Sequence, residues 1–169
     1  MPSLVVMGVA GCGKSTLGQA VADGLGWPLV EGDDFHPPRN IEKMKSGVAL
    51  TDADRREWLQ ALAQELASRP HAVMTCSALR RVYRDQLREA SSGLRFVFLD
   101  LTEAQARERV ARRPAHLFPP TLVASQFATL ERPDGEDGVL RVDATLSTGE
   151  LLGQVLRWMP PVPSSKATP

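Results

Sequence analysis

Cysteine is scarce: the 169-residue chain holds two, Cys12 and Cys76. Two cannot build a disulfide framework, and their placement does not suit a four-ligand zinc site, so a reducing, cytoplasmic setting is expected. Cys76 reads as a small buried residue, since the sequence offers no partner that would turn it into a nucleophile. Net charge is missing as well, because 20 Lys plus Arg balance 20 Asp plus Glu. A protein held to nucleic acid or to an anionic membrane by its surface field needs a basic excess, so neither is expected as a partner. No apolar run reaches the roughly 18 residues that mark a membrane helix. Met1-Pro2-Ser3 leads into a short apolar segment without a basic leader, and secretion is not expected either. Aromatic side chains make up 5% of the chain, with three Trp, one Tyr and five Phe, which leaves little to stack an acceptor nucleobase.

What is present fits one α/β domain over residues 1–159, followed by a Pro/Ser-rich tail, 160–169, that is expected to be disordered. Apolar runs of strand length at 3–8, 27–31, 71–76, 94–100 and 138–142 alternate with helical patterns, the order of a parallel sheet covered by helices. Leu17, Val21 and Leu25 space a helix over Lys14–Leu25, and Gly26 suits the position after its end. Trp58, Leu59, Leu62 and Leu66 form one stripe over 51–68, with Thr51 as N-cap. Helices are also expected over 80–90, 103–113 and 146–158; Thr102-Glu103-Ala104-Gln105 matches a capping box.

Gly8-Val9-Ala10-Gly11-Cys12-Gly13-Lys14-Ser15, followed by Thr16, fits the phosphate-binding P-loop, and it stands between a buried strand and a helix as that motif requires. Its glycines let successive N–H groups turn inward toward phosphate oxygens, and the positive end of the helix adds to the field. Lys14 would reach the β- and γ-phosphates, and the Ser15 hydroxyl would serve Mg²⁺. Asn40 is the chain's one asparagine and Ile41 follows it, so the Asn-Lys-x-Asp motif with which GTPases read guanine is absent. Motor ATPases need larger domains, and a compact phosphotransferase is the reading left.

Three further clusters accompany the loop. Glu31, Asp33 and Asp34 close the second strand, at the sheet edge where ligands sit. Carboxylates there repel nucleotide unless metal or substrate hydroxyls occupy them, and one could take the proton of an attacking hydroxyl; the plain alternative is a solvated acidic turn. Arg80 and Arg81 follow the third strand and could fork a carboxylate or phosphate, or simply face water. Arg107, Arg109, Arg112 and Arg113 run into Pro114, a pattern that reads either as a basic lid over transferring phosphate or as a charged surface helix. Asp100, ending an apolar strand, is a weaker metal candidate than Glu31 or Asp33.

Gly32-Asp33-x-x-His36-Pro37, Arg39-Asn40-Ile41-Glu42-Lys43-Met44, Asp54-Arg55-x-x-Trp58-Leu59, Cys76-Ser77-Ala78-Leu79, Tyr83-Arg84-Asp85 and Ser125-Gln126-Phe127-x-Thr129-Leu130-Glu131 carry a closer likeness. With the P-loop they resemble the gluconokinases, ATP-dependent enzymes that convert D-gluconate to 6-phosphogluconate. The resemblance runs from about residue 4 to residue 145, and the stretch 32–44 is specific to the family. It implies a three-layer P-loop fold like that of shikimate kinase, with strand order 2-3-1-4-5 and a small lid. It also implies ATP and Mg²⁺ as cofactors, D-gluconate as substrate and a homodimer. On this likeness Asp33 is the acid near the acceptor hydroxyl and the candidate base, and Glu31 joins Ser15 near Mg²⁺. Arg55 and Arg80 suit the gluconate carboxylate and hydroxyls, with His36 and Lys43 in the same region. Arg109 lies near adenine, and Arg113 is a lid arginine near the γ-phosphate. The chain departs from the family in the lid, where Ala115-His116-Leu117-Phe118 replaces the common Gly-His-Phe-Phe, and at Glu31, where relatives often carry Asp. Phosphorylation of another polyol acid such as shikimate, or nucleotide binding without catalysis, are the alternatives. The acids after the second strand argue against the latter.

Overall fold

Leu4, Val5, Val6 and Met7 are all fully buried and form β1 (Leu4–Met7), the central strand of the computed structural model. The structure describes residues 2–113 and 119–161. A strand apolar on both faces must be covered on both, and its alternating side chains divide the core accordingly. Leu4 and Val6 pack with Leu17, Val21, Val97 and Val155, whereas Val5 and Met7 pack with Trp58, Leu62, Leu87 and Phe96.

The other strands are β2 (Leu29–Glu31), β3 (Val73–Thr75), β4 (Arg95–Asp100) and β5 (Val139–Asp143), joined in the order β2-β3-β1-β4-β5. Every pairing is parallel, with Leu4 opposite Val73 on one side and Arg95 on the other. Helices α1 (Lys14–Leu25), α5 (Glu103–Ala111) and α7 (Thr148–Trp158) supply one covering layer, α3 (Asp52–Ser68) and α4 (Arg81–Ala90) the other. The expected order 2-3-1-4-5 is the observed one, and each strand forms within the run expected of it or one residue beyond.

Helix ends follow local chemistry. Capping boxes pair Thr51 with Asp54 at α3, Thr102 with Gln105 at α5 and Ser147 with Glu150 at α7. Gly26 takes a left-handed φ of 68° after α1. α5 ends at Ala111, two residues before the expected limit, with Arg112 as its C-cap. Two helices lie outside the apolar patterns: α2 (Pro38–Lys45), which opens on proline in its first turn, and α6 (Val123–Thr129). Residues 114–118, which include His116 and the core of the expected lid, and tail residues 162–169 lie outside the described residues. Among the described residues no helix is long and apolar enough to cross a membrane.

Candidate active site

Because all five strands run the same way, the loops that leave their carboxyl ends meet along one edge of the sheet, where open α/β sheets hold ligands. β1 delivers the P-loop there, β2 delivers Glu31 and Asp33, and β3 delivers Cys76 and Ser77.

The P-loop turns into α1 through Gly13, whose φ of 97° disfavours any residue with a Cβ. α1 differs from the three boxed helices: no side chain caps it and no acid stands in its first turn. Its free N–H groups and positive dipole end are therefore left for an anion. Lys14 folds over the loop, its Nζ donating to the backbone oxygens of Gly8 and Val9 at 3.0 Å each. The Ala10 N–H donates to Gln126 Oε1 of α6 at 2.7 Å. From the other side Arg109 donates to the carbonyls of Gly11 (3.4 Å), Cys12 (3.3 Å) and Ala144 (2.8 Å).

Beyond β2 the chain makes a 3₁₀ turn over Gly32–Phe35. A Cβ on Gly32 would stand 2.1 Å from the Thr75 carbonyl oxygen, so only glycine passes this close to β3. The Gly32 N–H donates to Thr75 Oγ1 at 3.2 Å, and its carbonyl accepts from Trp58 Nε1 at 2.8 Å. Thus pinned, the turn presents Asp33, with 72% of its side chain exposed, to the crevice. Glu31 is oriented by two hydroxyls, since Thr75 Oγ1 donates to its Oε2 at 2.6 Å and Ser15 Oγ at 3.1 Å. These hard oxygens fit a magnesium ion, which binds through one or two protein oxygens and completes its shell with phosphate and water. No group of three or more His, Cys, Asp or Glu among the described residues could hold a metal unaided.

Two cavities flank the P-loop. The larger, about 360 Å³, is walled by Lys14, Ser15, Asp33, His36, Arg55 and Arg113, together with Trp58, Ser125 and Gln126. Its size is that of a small-ligand site. The smaller, about 250 Å³, is lined by Arg109, Ala144 and Leu146, and it shares Gly13, Thr16 and Arg113 with the first. His36 is buried and stacks on Trp58 with centroids 4.3 Å apart. Burial pushes its imidazole down; Asp33 opposes this and Arg55 adds to it, so the ring is neutral at pH 7.

Arg55 comes from the first turns of α3 and is 8% exposed. Its Nη1 donates to the Tyr83 hydroxyl at 3.3 Å, and among the described residues it pairs with no carboxylate. Burial, and the hydrogen bond Tyr83 makes to Asp52, push that phenol up. A buried guanidinium that faces a cavity and reaches its nearest carboxylate, Asp52, only through the Tyr83 hydroxyl can take an anion.

Not every candidate reaches the wall. Arg80 stands beyond Tyr83, tied to Asp52 and, at 3.1 Å, to Glu131. Lys43 is held by both Asp54 oxygens at 2.8 and 2.9 Å. Asp100 is taken by Arg132 (2.8 and 2.9 Å) and Arg141 (2.7 Å), whose guanidinium groups lower its pKa and leave no face for a metal. Cys76 is buried as expected, and burial pushes its thiol up to about 12. Conversely, Gln126 and Tyr83 have contacts that spacing along the chain does not reveal; only their place in the likeness to a family pointed at them.

A P-loop at the end of β1, an acid at the end of β2 and an unpaired arginine across one cavity define a P-loop small-molecule kinase. Residues 4–133 match the family model described as AAA domain. A gluconokinase of Gluconobacter oxydans is 43% identical over 91% of this chain and 89% of its own. The crystal structure of a gluconokinase from Sinorhizobium meliloti is 47% identical, superposes with a TM-score of 0.86, and is matched over 92% of this chain and 90% of that one. A shikimate kinase from Acinetobacter baumannii shares the fold at a TM-score of 0.62 and 19% identity, over 93% of this chain and 92% of its own. The chain belongs to the gluconokinase family.

Proposed function

We infer that the chain transfers the γ-phosphoryl group of ATP to the 6-hydroxyl of D-gluconate, giving 6-phospho-D-gluconate and ADP in the cytoplasm. The observation that carries this reading is the single cavity in which Lys14, Ser15 and Arg113 face Asp33 and Arg55. The N–H groups of the P-loop and of α1 hold the phosphates, and the 250 Å³ cavity beside Arg109 takes the adenosine end. Arg55 binds the sugar-acid carboxylate, with His36 beside it, while Arg80 and Lys43 act behind the wall through Asp52, Tyr83 and Asp54.

The 6-hydroxyl oxygen forms a bond to the γ-phosphorus in line with the leaving β–γ bridging oxygen, and Asp33 receives the hydroxyl proton. Lys14 and Arg113 offset the charge that gathers on the phosphoryl oxygens, so catalysis is mainly positioning and electrostatics. Mg²⁺, held by Ser15 directly and by Glu31 directly or through water, would neutralise phosphate charge. A homodimer is the assembly proposed from the family likeness.

The test is ADP release measured with D-gluconate, shikimate, other sugar acids and AMP in parallel. Turnover stimulated by gluconate well above every other acceptor supports the reading. A preference for shikimate, or no stimulation by any acceptor, refutes it.

A further inference from the structure

Asn40 is fully buried on α2, where its side chain caps no helix. Its Nδ2 lies 2.8 Å from the Asp54 carbonyl oxygen and 3.3 Å from His36 Nδ1. A carbonyl only accepts, so the atom facing it is the amide nitrogen, and this settles which way the amide points. The second N–H of that nitrogen is then directed at His36 Nδ1, which has to be the unprotonated ring nitrogen. The ring proton consequently sits on Nε2, 3.8 Å from Asp33 Oδ1. Asn40 Oδ1 stays buried with no partner among the described residues, a penalty that an apolar side chain would avoid. Stability alone does not account for an amide here.

We propose that Asn40 locks His36 as the Nε2–H tautomer, so that the imidazole directs a hydrogen-bond donor at the Asp33 carboxylate and holds it toward the acceptor alcohol. The inference rests on the reading of Asp33 as the group that receives the alcohol's proton. The Trp58 indole, 12° from parallel, fixes the ring plane. The charged groups that face the ring are Asp33 and Arg55, and burial outweighs the former, which keeps Nδ1 free to accept. At 3.8 Å the Asp33 contact exceeds hydrogen-bond length. No other side chain among the described residues holds that exposed carboxylate. Asn40 and His36 are positioning residues, acting through Asp33.

Ring nitrogen shifts of the ¹⁵N-labelled wild-type protein at pH 7 report the tautomer directly, His36 being assigned by its loss in His36→Gln. Neutral imidazole protonated at Nε2 is expected; protonation at Nδ1, or an imidazolium, overturns the proposal without any variant having to fold. His36→Phe keeps the stack and removes the donor, and kcat should fall about 10- to 100-fold with KM for ATP unchanged. His36→Gln, which returns an N–H near the Nε2 position, should restore most of it. Equal rates in the two variants, or wild-type kcat in His36→Phe, overturn the donor role. Loss of turnover in Asp33→Asn beside full activity in His36→Phe rejects this proposal alone, whereas full activity in Asp33→Asn removes the base reading and this inference with it.

Discussion

Among the described residues two arginines are buried, and their surroundings predict opposite consequences of removing them. Arg84 is fully buried with four of its five N–H groups engaged: it donates to both Glu136 oxygens (3.1 and 2.6 Å), to the Ala78 carbonyl (2.7 Å) and to the Glu131 carbonyl (2.9 Å). Breaking a buried ion pair from one side costs about 3–5 kcal/mol. For a chain of this size each kcal/mol is worth about 2–4 °C, so Arg84→Met should lower Tm by roughly 6–20 °C. Arg55 has one hydrogen-bond partner, the Tyr83 hydroxyl, and among the described residues no direct ion pair, Asp52 lying beyond that hydroxyl. Its lost hydrogen bond is offset by the relief of a buried charge that has no direct ion pair, and Arg55→Met should move Tm by less than about 4 °C. Its effect should appear in binding instead. Losing one side of a desolvated charge pair costs about 2–5 kcal/mol, and at 1.4 kcal/mol per tenfold kcat/KM for gluconate should drop by about 30- to 4,000-fold, with KM for ATP unaltered. Thermal melts and steady-state kinetics on both variants decide the matter. An Arg55→Met protein with wild-type kcat/KM, or one destabilised as much as Arg84→Met, would refute the reasoning.

Asp54 ties Lys43 of α2 to the capping box of α3, and its pKa is lowered from 3.8 to about 2, chiefly by the Lys43 hydrogen bond and then by the Thr51 N–H. A depressed folded pKa gives stability that is complete above about pH 4 and lost as pH falls through 2. Urea melts should therefore show Asp54→Asn less stable than wild type at pH 7, with the gap narrowing toward pH 2; a gap independent of pH would contradict the assignment. Cys76, buried with its thiol at about 12, should resist iodoacetamide in the native protein at pH 8 and react once the chain is unfolded, as mass spectrometry of the peptide would show. Rapid native labelling would place it at the surface.

Much of the fold could be read in advance, because a strand buried on both faces and a helix with one apolar stripe leave period and punctuation in the chain. Leu4, Val5, Val6 and Met7 announce a central strand, and Thr51, Thr102 and Gly26 mark helix ends. α2 left no such trace: it is eight residues long, and its polar side chains Asn40 and Lys43 find their partners, Asp54 and His36, on other elements. The P-loop, Glu31 and Asp33 were legible because strand order brings strand ends together. What sorts Arg55 from Arg80 is tertiary, since Asp52 and Glu131 neutralise one and leave the other facing the cavity. Likewise, nothing in the spacing of residues tells an arginine paired inside the core, at 84, from one that faces the cavity, at 55.

If one cavity brings the γ-phosphate and a sugar-acid alcohol together across Asp33, the chemistry depends on that carboxylate. The most direct test is kcat of Asp33→Asn with saturating gluconate, beside the Kd for ATP of the same variant. Turnover should fall by orders of magnitude while ATP binds as in wild type. Near-normal kcat in that variant would contradict it.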